Sequence, residues 1–156
     1  LGFAEIDREG NVNDGNFSGT LRGPGGFLDI AHRARTVLFC GTMTAGGLDV
    51  GITPGDPPSV SIAKEGRNLK FVERVAQVNF HGPSGVAKGQ RVLIITERAV
   101  FRVTAKGLEM IEIAPGLDIA RDIRSVVKFE FAVSPDLREM EHRIFRPEPM
   151  GPRPAG

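Results

Sequence analysis

Four residues, Gly23-Pro24-Gly25-Gly26, stand directly before a repeat in which Phe27, Ile30, Ala31 and Ala34 recur at i, i+3, i+4 and i+7. That spacing is one face of a helix. Glycine has no Cβ and tolerates positive φ, so such a turn brings bare backbone N–H groups close to a ligand at a helix start. The chemistry that suits it is the holding of an anion or a thioester carbonyl. The plainer reading is a glycine-rich connection between a hairpin and a helix. Three nucleotide or hydrolase motifs are absent. The third glycine of G-x-G-x-x-G would fall on Leu28, and neither G-x-x-x-x-G-K-[ST] nor G-x-S-x-G occurs.

Glu97-Arg98 is a second candidate, because it follows the apolar run Val92-Leu93-Ile94-Ile95. The carboxyl end of a buried strand is where a sheet presents ligand-facing groups. The alternative is an ion pair that locks a hairpin. Cys40, the only cysteine, ends the apolar run Thr36–Cys40 and has no charged neighbour in sequence to lower its pKa. It reads as an inert small hydrophobe on a buried strand. His32, His81 and His142 lie far apart in sequence. With one cysteine they match no metal-ligand spacing and read as surface or hydrogen-bonded histidines.

The composition bounds these chemistries. At 156 residues the chain is sized for one domain with a sizeable core. A net charge of +1, with scattered Lys and Arg and no Trp or Tyr, argues against a nucleic-acid or anionic-membrane partner. No apolar stretch approaches a membrane span, and no signal peptide is visible. With no pair of cysteines to form a disulfide, a cytoplasmic setting is expected. The start at Leu1 reads as a piece of something longer.

The elements that must position the candidates follow from periodicity. Leu1, Phe3, Ala4 and Ile6 make a short strand, followed by the turn signals Gly10-Asn11 and Asn13-Asp14-Gly15. A helix from about Phe27 to Arg35 leads into Thr36–Cys40, apolar on both faces like a strand inside a sheet. Pro54–Pro58 turns a hairpin, and Val75–Phe80 reads as a strand ended by Gly82-Pro83. Val92–Ile95 reads as a buried central strand. Ala99–Val103 and Leu108–Ile113 pair about Lys106-Gly107. Asp118 caps a second helix with Ile119, Ile123, Val126 and Val127 on its apolar face. Ser134-Pro135 starts a third, short helix with a Leu137, Met140 and Ile144 stripe. Residues 147–156, rich in Pro and Gly, read as a disordered tail. The fold class is mixed α/β with more strand than helix.

Four segments in order resemble the family I coenzyme A transferases of the acetate/3-oxoacid type. They are Gly23-Pro24-Gly25-Gly26-Phe27-Leu28-Asp29-Ile30, Phe39-Cys40-Gly41-Thr42-Met43-Thr44-Ala45-Gly46-Gly47, Ile95-Thr96-Glu97-Arg98-Ala99-Val100-Phe101 and Ile111-Glu112-Ile113-Ala114-Pro115-Gly116. The opening Ala4-Glu5-Ile6-Asp7 with Gly10-Asn11-Val12-Asn13, and the closing Ser134–Met140 segment, are similar to that family too.

The resemblance implies an open mixed sheet with packed helices, of the NagB/RpiA/CoA-transferase kind and incomplete as a domain. Residues 1–146 would be the C-terminal portion of the β half. It implies transfer of CoA between an acyl-CoA and a free carboxylate, in ketone-body or short-chain fatty-acid metabolism. A glutamate forms a glutamyl-CoA thioester on the way. The backbone of Gly23, Gly25 and Gly26 would face the developing oxyanion. Nothing before Gly23 resembles the glycine-flanked segment of the nucleophile; Glu5 and Glu9 belong to a later strand and turn, and Glu97 to a different stretch. The nucleophile is therefore expected outside this chain, leaving the chain alone inactive. Coenzyme A would be a substrate, with no permanently bound cofactor. The partners implied are an N-terminal half or α subunit, and an oligomer favoured by an exposed sheet edge. Two other readings stand beside this one: a non-catalytic CoA- or anion-binding module, and a structural remnant.

Overall fold

The computed structural model describes residues 1–17, 20, 21, 23 and 25–151, without the side chains of 17, 20 and 21. Its main elements in chain order are α1 (Phe27–Arg33), β1 (Thr36–Cys40), β2 (Asp49–Thr53), β3 (Ser59–Lys64), α2 (Gly82–Ala87), β4 (Arg91–Ile95), β5 (Ala99–Thr104), β6 (Gly107–Ile113) and β7 (Ala132–Glu139). Five of these strands form one mixed sheet in the order β7-β6-β5-β4-β1. β1 and β4 run parallel, as do β6 and β7, while β4-β5 and β5-β6 are antiparallel.

Alternation along these strands builds a different core on each face. Val37, Phe39, Val92, Ile94, Phe101, Val103, Leu108 and Met110 point into the larger cluster. There Phe27 of α1 stacks on Phe39 at 5.7 Å, and Phe80 meets the same ring at 5.3 Å. The smaller cluster holds Val60, Val100, Ala114 and Met140, with Leu93, Ile95 and Ile111 at its margin. The β2–β3 hairpin covers that side through Val50 and Val60, and the Val60 N–H donates to the Pro115 carbonyl at 2.8 Å.

Both apolar runs obey strand alternation, but their positions in the sheet differ. β4 lies between β1 and β5, as its sequence suggests. β1, expected to be buried on both faces, is an edge strand with Val37 and Phe39 buried and Leu38 42% exposed. Cys40 is exposed as well, which overturns its reading as a buried hydrophobe. The outer edge of β1 carries one rung of parallel pairing: Leu1 N donates to the Leu38 carbonyl at 2.9 Å, and Cys40 N–H donates to the Leu1 carbonyl at 2.8 Å.

Three further expectations change. Val75–Phe80 is not a regular strand. Its backbone is tied to the N-terminal segment instead, with Ala76 N–H on the Glu5 carboxylate at 2.9 Å and Asn79 N–H on the Val12 carbonyl at 2.9 Å. Gly82-Pro83 ends nothing; it starts α2, whose first turn is capped by the His81 ring accepting from Ser84 N–H at 3.2 Å. Proline at the first helical positions serves because its missing N–H has no partner there.

The third helix expected from Ser134-Pro135 is the strand β7. Val133 pairs with Met110 and Arg138 with Glu112, so the segment holding Pro135 bulges out of the ladder. An edge strand tolerates proline at such a bulge because no ladder hydrogen bond is lost. The Asp118 cap is present, accepting from Arg121 N–H at 2.7 Å, and Ile123, Val126 and Val127 are buried. The turns it starts are a π-turn, Ile119–Ile123, and a 3-10 turn, Arg124–Val126. Of the expected tail, residues 152–156 lie outside the described residues.

Candidate functional site

The first candidate is the glycine turn ahead of α1. Pro24 lies outside the described residues, whereas Gly23, Gly25 and Gly26 are all exposed. Gly25 has φ +51°, the left-handed region in which a side chain is strained. Among the described residues nothing lies within 4 Å of where a Cβ would sit on Gly23 or Gly25, and on Gly26 only the Ile30 Cδ1, at 3.8 Å. Crowding among the described residues therefore does not require glycine here.

Gly26 is the N-cap of α1, and no side chain among the described residues caps that end. The first helical bond runs from Ile30 N–H to the Gly26 carbonyl at 3.1 Å, leaving the earlier N–H groups without an intrahelical partner. The face of α1 is narrower than its sequence suggests. Phe27 and Ala31 are buried, while Ile30 is 55% exposed.

The second candidate is the β4–β5 connection. Thr96 and Ala99 close it: Thr96 N–H donates to the Ala99 carbonyl at 3.0 Å, and Ala99 N–H donates to Thr96 Oγ1 at 3.0 Å. Arg98, at the tip of this turn, is fully buried. Its guanidinium grips both Glu65 oxygens at 2.7 and 2.8 Å, the Glu97 carboxylate at 2.7 Å and the Asp122 carbonyl at 2.8 Å. Burial opposes its charge, but Glu65 and Glu97 outweigh that and hold its pKa above the ordinary arginine value. Glu65 is held below the usual carboxylate range, first by its hydrogen bonds to Arg98.

Glu97 spends its second oxygen on Met43 N–H at 3.0 Å. The pair Glu97-Arg98 is therefore the lock between the sheet's end, the Thr42–Thr44 segment and the Asp118–Val126 turns. This is the structural alternative named for it. Sequence reasoning passed over Glu65 and Asp122, which stand 33 and 24 positions from Arg98. The adjacent acid-base pair at a strand end was the available signal that such partners exist.

No hydrogen bond joins the glycine turn to Glu97 among the described residues. The histidines serve separately: His32 lies against Phe80 with ring centroids 5.9 Å apart, His81 caps α2, and His142 pairs with Glu139 at 2.7 Å. Among the described residues no group of three or more His, Cys, Asp or Glu could hold a metal ion, and no helix is long and apolar enough to cross a membrane.

The chain is 42% identical over 151 residues to acetate CoA-transferase YdiF of Escherichia coli K12, covering 97% of this chain. The fold agrees: the crystal structure of the acyl-CoA transferase YdiF apoenzyme from Escherichia coli O157:H7 superposes with a TM-score of 0.91 at 42% identity. The chain is thus similar in sequence and in fold to coenzyme A transferases. Caffeate CoA-transferase of Acetobacterium woodii is 39% identical over 150 residues, covering 93% of this chain. The chain spans 28% of the length of both curated relatives and 29% of the YdiF crystal chain. The O157:H7 YdiF has also been crystallised as a thioester complex with CoA. No family model matches the chain.

Proposed function

We propose that this chain is the C-terminal part of the β half of a coenzyme A transferase, one that moves CoA between an acyl-CoA and a free carboxylate. The observation that carries this reading is the 42% identity to an acetate CoA-transferase across 97% of the chain. In the proposed reaction a glutamate supplied from outside this chain attacks the acyl thioester carbonyl and releases CoA thiolate. The thiolate then attacks the glutamyl carbonyl, frees the original acyl group as a carboxylate and leaves a glutamyl-CoA thioester. The acceptor carboxylate reverses these steps, and the glutamate is regenerated. The logic is that of covalent catalysis with one product leaving before the second substrate binds.

In this scheme Gly23, Gly25 and Gly26 supply the oxyanion-facing backbone. The geometry supports that role: an uncapped helix start, a left-handed Gly25 and no crowding among the described residues. N–H groups fixed by the Gly26 N-cap stabilise developing charge without reorganising during the reaction. Glu97 has no role in the chemistry, since Arg98 and Met43 already engage its carboxylate. Coenzyme A is a substrate, the cytoplasm is the proposed setting, and short acyl groups, 3-oxoacids among them, are the proposed cargo. The working form is an oligomer containing the N-terminal half or a separate α subunit.

The test is acyl-CoA to carboxylate transfer by this chain with and without the upstream part of its parent polypeptide. Transfer is expected only when both parts are present. Turnover by the chain alone would place the nucleophile here and overturn the assignment. Silence of the complete, folded protein would favour a CoA- or anion-binding module without chemistry.

A further inference from the structure

Lys70 is charged, buried and short of partners. It follows the short strand Asn68–Leu69, and its backbone is fixed on both sides. Its N–H donates to the Met43 carbonyl at 3.2 Å, and its carbonyl accepts from Ile6 N–H at 2.8 Å. The residue is only 8% exposed. Among the described residues nothing hydrogen-bonds its ammonium. Nζ sits 4.0 Å from the centre of the Phe3 ring, and burial pushes its pKa down while the charge of Glu97 pulls the other way. Three N–H donors in a buried position ordinarily find acceptors, because leaving them bare is costly.

Two observations show where an acceptor would come from. Among the described residues no fully sealed side-chain nitrogen or oxygen lacks a partner, so Nζ, which has none, reaches the surface. It does so beside Gly41, where a Cβ would stand 3.1 Å from Nζ and 2.8 Å from the Phe3 ring. Glycine at 41 therefore lets the ammonium and the Phe3 ring pack directly against the backbone. Gly41 directly follows β1 and donates to the Ile95 carbonyl at the end of β4. Nζ thus lies at the carboxyl ends of the two neighbouring parallel strands, the place where open α/β sheets bind ligands.

We propose that Lys70 binds a carboxylate beside Gly41, and that this is the free carboxylate that accepts CoA. The proposal rests on the transferase reading above. A carboxylate fits better than a phosphate ester, because the neighbouring Glu97 cancels part of the positive charge that a dianion would need.

In the parent transferase, Lys70→Met is expected to raise KM for an acetate acceptor by about 10- to 100-fold, the value of one charged hydrogen bond. KM for the acyl-CoA and kcat at saturating acetate should stay put, and Lys70→Arg should recover part of the loss. Equal changes in both KM values, or none, would overturn the proposal. A second experiment needs no variant. Wild-type enzyme is labelled with acetic anhydride, and Lys70 modification is read by peptide mass. Sodium acetate should slow labelling of Lys70, and the neutral isostere acetamide should not. Protection by adenosine 3′,5′-bisphosphate instead of acetate, or by neither, would also overturn it. Labelling is read without turnover, so failure of the transferase reading would show separately as absent transfer.

Discussion

The glycine turn at 23–26 and the Arg98 corner are two ways of preparing a protein surface for chemistry. The turn is exposed at Gly23, Gly25 and Gly26, and nothing among the described residues presses on it. The corner is dense: a fully buried guanidinium gathers Glu65, Glu97 and the Asp122 carbonyl, and through Glu97 it fixes Met43 N–H. Open backbone at the turn leaves room for a ligand to supply the missing contacts. The corner already has its contacts, so what it offers is rigidity for the residues around it. A buried ion network is costly to break even where it adds little net stability, and that makes it a good clamp.

Breaking the clamp should have the largest effect. Arg98→Met strands the Glu97 carboxylate in a half-closed corner and is expected to cost about 3–5 kcal/mol. The loss should appear as a lowered midpoint in denaturant unfolding of the parent polypeptide. A midpoint within error of wild type would mean that the network is not a clamp. The turn should behave oppositely. Gly26 has an ordinary φ of −78° and open space around it, so Gly26→Val should leave the fold intact. Transfer should fall on the order of 100-fold, the scale seen when oxyanion stabilisation is lost. Normal turnover by that variant would remove the turn from the active site.

A smaller effect is expected where a side chain does for a helix end what glycine leaves undone at α1. Asp118→Ala removes the acceptor for Arg121 N–H and should cost about 1 kcal/mol. Thermal unfolding would register it, and an unchanged midpoint would show that the Ile119–Ile123 turn is held by packing alone.

The pH dependence sharpens the same contrast. Glu65 is depressed by hydrogen bonds to Arg98, and Asp122 by its hydrogen bonds to Arg121. A carboxylate with a lowered folded pKa contributes stability that is present above its unfolded value. That stability is lost as pH falls through the folded value. Acid should therefore destabilise the corner from the ordinary carboxylate range downward, and Glu65→Gln should flatten that slope. Lys70 has the opposite sign. Its pKa is lowered by burial, so folding should gain stability as pH rises from the lowered value towards that of an unfolded lysine. Lys70→Met should abolish the alkaline rise, read by unfolding midpoints across pH.

Parts of the local structure were legible before the fold was known, and unevenly. Gly25 needed positive φ and has it, the Asp118 cap forms, and Ala99–Thr104 pairs with Gly107–Ile113 as their alternation indicated. The Glu97-Arg98 pair was visible as two adjacent charges, but its partners were not, because Glu65 and Asp122 are brought in by separate elements. Ser134-Pro135 misled for a definite reason. A hydroxyl followed by proline also suits a bulge on an edge strand, and pairing with β6 supplies contacts that a short helix would lack.

What the sequence determined by itself was local and periodic: strand alternation, the turns at glycine and asparagine, and the ordered segments that resemble coenzyme A transferases. These depend on residues within a few positions of one another, so the chain states them directly. Only the tertiary structure decided that β1 is an edge and Cys40 exposed, that Arg98 is buried, and that Lys70 comes to rest beneath Gly41. Edge or centre, buried or open, is set by which distant strands pair. That choice is made by burial of the two cores together, which no window of sequence contains.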